Sequence, residues 1–417
     1  MPYTLLRGEF VIRYPDLPRQ GPEPDGDTVK FRPDAPGLVE GLPRPSGTPP
    51  DLDARGISVR LEAIDALEIH FGGSHQELAG GNAARDALLA LLGFTGVRFF
   101  DDLPGKVASA DQDALRGHVL AAGIEGNGRL VAFAYPGDHP GPDGASVFVD
   151  EALADRSVNA RLLAAGHAYP GFYTTLPVSL RRHLALASTA AREVGAGLWP
   201  RSTADPDGPA TIADLAAAQR LVIWPKLFRR IVPYLAAGFA DFDGFDAWLR
   251  ADPVNRDDAL FLVGTLEPGN LHDVVHAAGH QVRLTRWPEE FVIVPDPPAP
   301  GAPTGGTPLA AGDVLILAAL ADPVGADQGR ETVTLLNTTA SSVDLSGWAL
   351  VDRSSARSPL AGTLAAGAVT QVSAGPALRL GNQGGALVLV DGAGRTVDHV
   401  AYTAERVRPG RTIAFGR

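Results

Sequence analysis

The segment VRLEAIDALE, residues 59–68, decides how the first half of the chain reads. Apolar and polar residues alternate through Ser58–Ile64, the period of a half-buried strand. Arg60 lies inside that strand, and Asp65 and Glu68 follow at its end. Two further segments are built alike. Thr28–Phe31 reads as a strand preceded by Asp25-Gly26-Asp27, and Arg129–Tyr135 reads as a strand preceded by Gly128. Asp-Gly-Asp is also a common turn, and a charge beside a strand is commonly solvated. The three segments together carry more than any one of them. Carboxylates at strand ends make a hard, oxygen-rich site suited to Ca²⁺. Two nearby arginines can fork a phosphate. That pairing suits phosphodiester cleavage, in which charge builds on the non-bridging oxygens.

Working outward, the 417 residues exceed what one hydrophobic core usually fills. Hydrophobic residues make up 45% and charged residues 20%, a composition that excludes a disordered chain. No cysteine is present, which excludes disulfides and Cys-ligated metal centres. No run of 18 apolar residues occurs, which argues against a membrane-spanning helix. The Pro/Gly segment 296–309 reads as a linker, and residues 201–209 as a shorter break. The expected fold class is therefore multidomain α+β: a first domain over 1–202, a mainly helical connector over 211–295, and an all-β domain over 310–417. Helices are expected at Asn82–Leu92, at Ser179–Val194 with Ser179 as its cap, and at Phe242–Leu249 and Leu271–Ala278. The stretch 33–56 reads as a long surface loop. The net charge of −12 falls in the first two blocks, and the last is neutral by count. This acidity is unfavourable for tight nonspecific binding to nucleic acid.

Residues 9–200 resemble the staphylococcal thermonuclease family. The resemblance rests on DGDTVKF at 25–31, VRLEAIDALE at 59–68, GNGRLVAFAY at 126–135 and ALASTAAREVGAGLWPRS at 185–202, in that order. It implies a five-stranded OB-type β-barrel with helices. It implies Asp27, Asp65 and the carbonyl of Ala66 as Ca²⁺ ligands, Glu68 as the residue acting on the attacking water, and Arg60 and Arg129 on the phosphate. The implied activity is Ca²⁺-dependent hydrolysis of DNA or RNA. Leu67 stands where the family commonly has proline, and Gly126 and Asn127 where it has a basic and an aromatic residue. Tyr169, Phe172 and Tyr173 form an aromatic cluster that could stack on bases or pack a helix. Given the acidity, the expected substrate binding is weak and salt-sensitive, or directed at single strands.

Other groupings read as structural. His70, His75 and Glu77 could support Glu68 or hold a second metal, but polar residues in a solvated loop are the commoner case. His272 and His276 would share a face of the expected helix without an HExxH pattern, and Gly279 would end that helix before His280. In the last block, ETVTLLN at 331–337, VDLSGWAL at 343–350, LGN at 380–382, LVD at 389–391 and VDHVAY at 397–402 resemble a lamin tail domain, with Gly385 in place of a common acidic residue. That implies an immunoglobulin-like β-sandwich serving interaction or targeting, with Trp348 in its core. The alternative to a nuclease is a noncatalytic nucleic-acid or protein-binding scaffold, or an adaptor whose purpose is the tail. The first residues lack a basic region followed by an apolar run, which points to the cytoplasm, whereas the domain pairing is common in secreted or surface proteins.

Overall fold

A computed structural model describes residues 2–252, 255–264, 267–295, 312–325, 329–339, 342–352, 354, 356–365, 367–374, 378–392 and 396–415. The expected linker 296–309 lies outside them. By packing, the chain divides into a unit spanning Tyr3–Pro303 and a C-terminal unit from Thr304.

The first unit is built on a five-stranded barrel. Its strands are β1 (Pro2–Val11), β2 (Thr28–Pro33), β3 (Ile57–Leu61), β5 (Ala114–Ile124) and β6 (Leu130–Pro136). They run in the order β2-β3-β6-β5-β1, and β1 pairs back onto β2 to close the ring. Closure leaves no edge among these five. The pair β3–β6 is parallel and the others are antiparallel. Alternation sets the inward face: Val29 and Phe31 of β2, and Ile57, Val59 and Leu61 of β3, are buried, while Thr28 and Arg60 oppose each other on the outer face. The expected strand Ser58–Ile64 is in fact two. After Leu61 the chain kinks at Ala63, whose φ of 72° is the only positive value at a non-glycine among the described residues. β4 (Ala63–Asp65) then leaves β6 and pairs with β7 (Tyr169–Gly171), matching Asp65 to Tyr169. Buried Asn159 supports the kink. Its Nδ2 donates to the carbonyls of Glu62 and Ala132 at 2.9 and 3.0 Å, and its Oδ1 accepts from the Ala134 N–H at 3.0 Å.

A left-handed backbone costs an L-residue ~1–2 kcal/mol, and more when the side chain is β-branched. Urea unfolding of Ala63→Gly and Ala63→Val is therefore expected to rank Gly at or above the parent and Val below it by about 2 kcal/mol. Equal midpoints for all three would show that the kink stores no strain.

Three helices lie along the barrel. α1 (Leu78–Leu92) begins one turn earlier than expected, because Glu77 caps it by accepting from the Gly80 N–H at 2.6 Å. α2 (Val158–Ala164) is capped by Ser157. α3 (Val178–Glu193) starts after Pro177 with no side-chain cap, so Ser179 lies inside the helix and does not cap it. The segment 33–56 carries one short helix, Pro36–Glu40.

The middle region is helical, edged by two small three-stranded sheets. Its main helix, α4 (Pro225–Ala236), opens with proline at the first position, where a missing N–H costs nothing. Trp224, Phe228, Ile231 and Phe291 share a core with Leu67, Tyr169 and Trp199 of the first block, so the middle region packs directly on the barrel side carrying β4 and β7. Leu271–Ala278 is not one helix. It is a turn of helix, Leu271–Val274, followed by the strand Val275–Ala278. Among the described residues no helix is long and apolar enough to cross a membrane.

The C-terminal unit is a β-sandwich. One four-stranded sheet includes Val314–Leu320, Thr332–Asn337 and Val369–Ser373, and the other includes Ala349–Asp352, Gly384–Val390 and Thr396–Thr403. Val314, Val333, Leu335, Trp348, Leu350 and Leu387 are among its core residues.

Candidate active site

Asp27, Arg60, Asp65 and Glu68 come together where β2, β3 and β4 meet. Asp27 ends the loop entering β2, directly beside the Thr28–Arg60 pair. The glycine before it is required by close approach rather than by a turn. A Cβ on Gly26 would fall 2.5 Å from the Ala66 Cβ and 2.7 Å from the Ala84 Cβ of α1. Gly26 thus lets the Asp25–Asp27 loop rest against both the carboxylate segment and the helix.

Arg60 is the hub. Its Nη1 donates to Asp27 Oδ2 and its Nη2 to Asp65 Oδ1 at 2.7 Å. Asp27 also accepts from the Ala66 N–H at 3.0 Å and from the Thr28 hydroxyl at 2.9 Å. Burial works to raise the Asp27 pKa, yet the charge and hydrogen bond of Arg60, the Ala66 N–H and the charge of Arg129 bring it below the ordinary carboxylate value. Asp25, whose carboxylate accepts from the Asp27 N–H at 3.1 Å, behaves oppositely. Burial and the neighbouring Asp27 push it up to about 8. Burial, with the charges of Asp27 and Asp65, raises Glu68, against the pull of Arg229.

Arg229 is the residue sequence reasoning missed. It projects from α4 into this cluster, with Nη1 donating to Glu68 Oε1 and Nη2 to both oxygens of Asp65 at 3.2 and 3.0 Å. The same helix face carries Lys226 and Arg230, each 2.7 Å from a carboxylate oxygen of buried Asp258. Three cations on an otherwise apolar helix, without acidic partners on that helix, were the available signal. Gln76 was missed as well. Its Oε1 accepts from the Glu68 N–H at 3.0 Å, and its Nε2 donates to the Ile223 carbonyl at 2.7 Å, tying the Glu68 loop to the approach to α4.

The other expected residues divide. Arg129 precedes β6 and pairs with Glu125 at 3.1 Å, so it reaches the cluster by charge and not by a hydrogen bond. Tyr169 and Phe172, offered as substrate contacts or as packing residues, are core residues with no free face. Tyr169 is fully buried with its hydroxyl against Ser202 and the Val222 carbonyl, and Phe172 is 2% exposed. Tyr173 is the partly exposed member, its hydroxyl accepting from Lys226 at 3.4 Å. Of the loop residues near Glu68, Glu77 caps α1 and pairs with Arg201 at 2.7 Å, and His75 bonds the Gln76 carbonyl. His272 and His276 do not share a helix face. The former lies between Asp257 and Asp273 at 2.5 and 3.0 Å, and the latter is on a strand.

The donor set is hard. Asp27, Asp65 and the Ala66 carbonyl offer oxygen only. These residues fit a hard divalent cation that takes two carboxylates and completes its shell from main chain and water. Among the described residues, no three His, Asp or Glu side chains group as an all-side-chain metal cluster.

Compared with known families, residues 307–404 match the model of the lamin tail domain. No curated protein matches the chain.

Proposed function

We propose that the chain is a Ca²⁺-dependent phosphodiesterase of the thermonuclease type that hydrolyses DNA or RNA, with its tail domain serving interaction or targeting. The observation that carries this reading is the meeting of Asp27, Arg60, Asp65 and Glu68 where β2, β3 and β4 adjoin, within the field of Arg129. Asp27, Asp65 and the Ala66 carbonyl would hold the cation. A bound Ca²⁺ supplies positive charge to the scissile phosphate and orients it. Arg60 and Arg129 bond the non-bridging oxygens as charge builds there. Glu68 takes a proton from the attacking water, whose oxygen bonds to phosphorus as the P–O5′ bond breaks, and the leaving oxygen is protonated. A 3′-phosphate product results.

One observation favours a second reading, a noncatalytic scaffold: Arg229 already satisfies Asp65 and Glu68. An assay on single- and double-stranded DNA and RNA, with Ca²⁺ or with a chelator, separates the two. The expected result is cleavage that requires Ca²⁺ and falls by about 10²-fold or more in Glu68→Gln. No cleavage of any substrate under either condition supports the scaffold.

A further inference from the structure

Two buried carboxylates need positive charge, and the structure supplies it from the middle region. The contact between Arg229 and Glu68 spans 161 positions of sequence, so it exists only because α4 is docked against the barrel side. The helix is held there independently of the site: Phe228 and Ile231 are fully buried in the core that also contains Leu67, Tyr169 and Trp199. The guanidinium is thus presented by a fixed support. Its fork geometry matches a carboxylate, and its Nη2 addresses both Asp65 oxygens. Those oxygens belong to one of the two carboxylates expected to hold the cation. Arg60 serves Asp27 and one Asp65 oxygen, whereas Arg229 reaches both Asp65 oxygens and Glu68.

We propose that Arg229 sets the cation affinity of this site, because its guanidinium holds both Asp65 oxygens, which a divalent ion must take over. The proposal rests on the cation-site reading above. Ca²⁺ binding then displaces one internal cation by another, and the measured affinity is the difference between the two. A purely structural ion pair would behave differently, since its loss would weaken the fold without improving cation binding.

The test is calorimetric titration of the full chain with Ca²⁺, joined to thermal unfolding with and without Ca²⁺, for the parent, Arg229→Met and Arg229→Lys. Arg229→Met is expected to bind Ca²⁺ about tenfold more tightly than the parent. Without Ca²⁺ its melting temperature is expected to fall by about 5 °C, because Asp65 and Glu68 lose a partner, and Ca²⁺ restores it. Arg229→Lys keeps the charge but cannot bridge two carboxylates, and its affinity is expected between the two. If Arg229→Met does not fold, Arg229→Lys decides, and binding no tighter than the parent's overturns the proposal. Equal or weaker binding in a folded Arg229→Met also overturns it, while cleavage by the parent leaves the phosphodiesterase reading standing. If neither parent nor variants bind Ca²⁺, the proposal fails together with the cation site.

Discussion

Arg60→Ala is expected to lower phosphodiester cleavage by on the order of 10³-fold or more and to destabilise the fold by about 3 kcal/mol. Both losses follow from one side chain with two duties. In the free protein Arg60 neutralises Asp27 and Asp65, whose side chains are 9% and 4% exposed, so its removal leaves carboxylates in a dry site. The cost falls at the lower end of the range for a broken buried pair, because Asp27 keeps the Ala66 N–H and Asp65 keeps Arg229. With substrate bound, the same guanidinium stabilises phosphate oxygens, and Arg129, paired with Glu125 in the free protein, cannot by itself supply both arginines' bonds. The two effects separate experimentally. Cleavage is measured well below the variant's melting temperature, and Arg60→Lys restores most of the stability without the fork needed for activity. The folded pKa of Asp27 is depressed, so its contribution to stability is present above the unfolded carboxylate value and is lost as pH falls through the folded one. The stability gap between parent and Arg60→Ala therefore narrows on acidification. Full activity in a folded Arg60→Ala would sink the mechanism.

Arg60 also shows what local sequence can carry. Alternation placed it in a strand, and Asp65 and Glu68 lie within the same short segment, whereas Asp27 joins them only through the pairing of β2 with β3. The same logic failed for β1 and β5, which were not expected as strands. β5 contains Gly117 and Gly123, residues that weaken a strand signal. They are present because the barrel closes tightly there: a Cβ on Gly117 would lie 2.4 Å from the Phe10 ring and 2.8 Å from the Tyr135 carbonyl. Arg229 was illegible for another reason. Its segment reads as core of the middle block, and only docking on the barrel brings Arg229 against acids far away in sequence. The role of Tyr169, base stacking or packing, was likewise open from sequence, because its burial depends on Trp199 and the middle region, which cover it from outside the barrel segment.

Glu62→Gln is expected to stabilise the protein by about 3 kcal/mol at pH 8 and by almost nothing at pH 4.5. Glu62 occupies the junction between β3 and β4, where its backbone is fixed at both ends: the N–H donates to the Ala132 carbonyl at 2.9 Å, and the carbonyl accepts from Asn159 at 2.9 Å. With the main chain held and Ala63 kinked beyond it, the side chain is committed to the interior, where it is 5% exposed. Among the described residues neither carboxyl oxygen has a well-formed hydrogen bond, and the nearby Tyr3 hydroxyl lowers the Glu62 pKa by less than burial raises it. Burial accordingly pushes Glu62 up to about 7. Because the folded value is raised, the group's favourable contribution is complete below the unfolded value near 4.5 and is lost as pH climbs through about 7. A shift of ~2.5 units at 1.36 kcal/mol each gives the stated magnitude. Glutamine has the same shape as protonated glutamic acid and lacks partners equally, so the two should unfold at nearly the same urea concentration at pH 4.5. At pH 8 the parent must carry a buried charge or spend energy excluding it, and the variant does neither. Urea midpoints for both proteins at the two pH values decide the matter. A stabilisation of equal size at both would assign the effect to packing, and none at pH 8 would mean the carboxylate finds solvent or a cation inside the barrel.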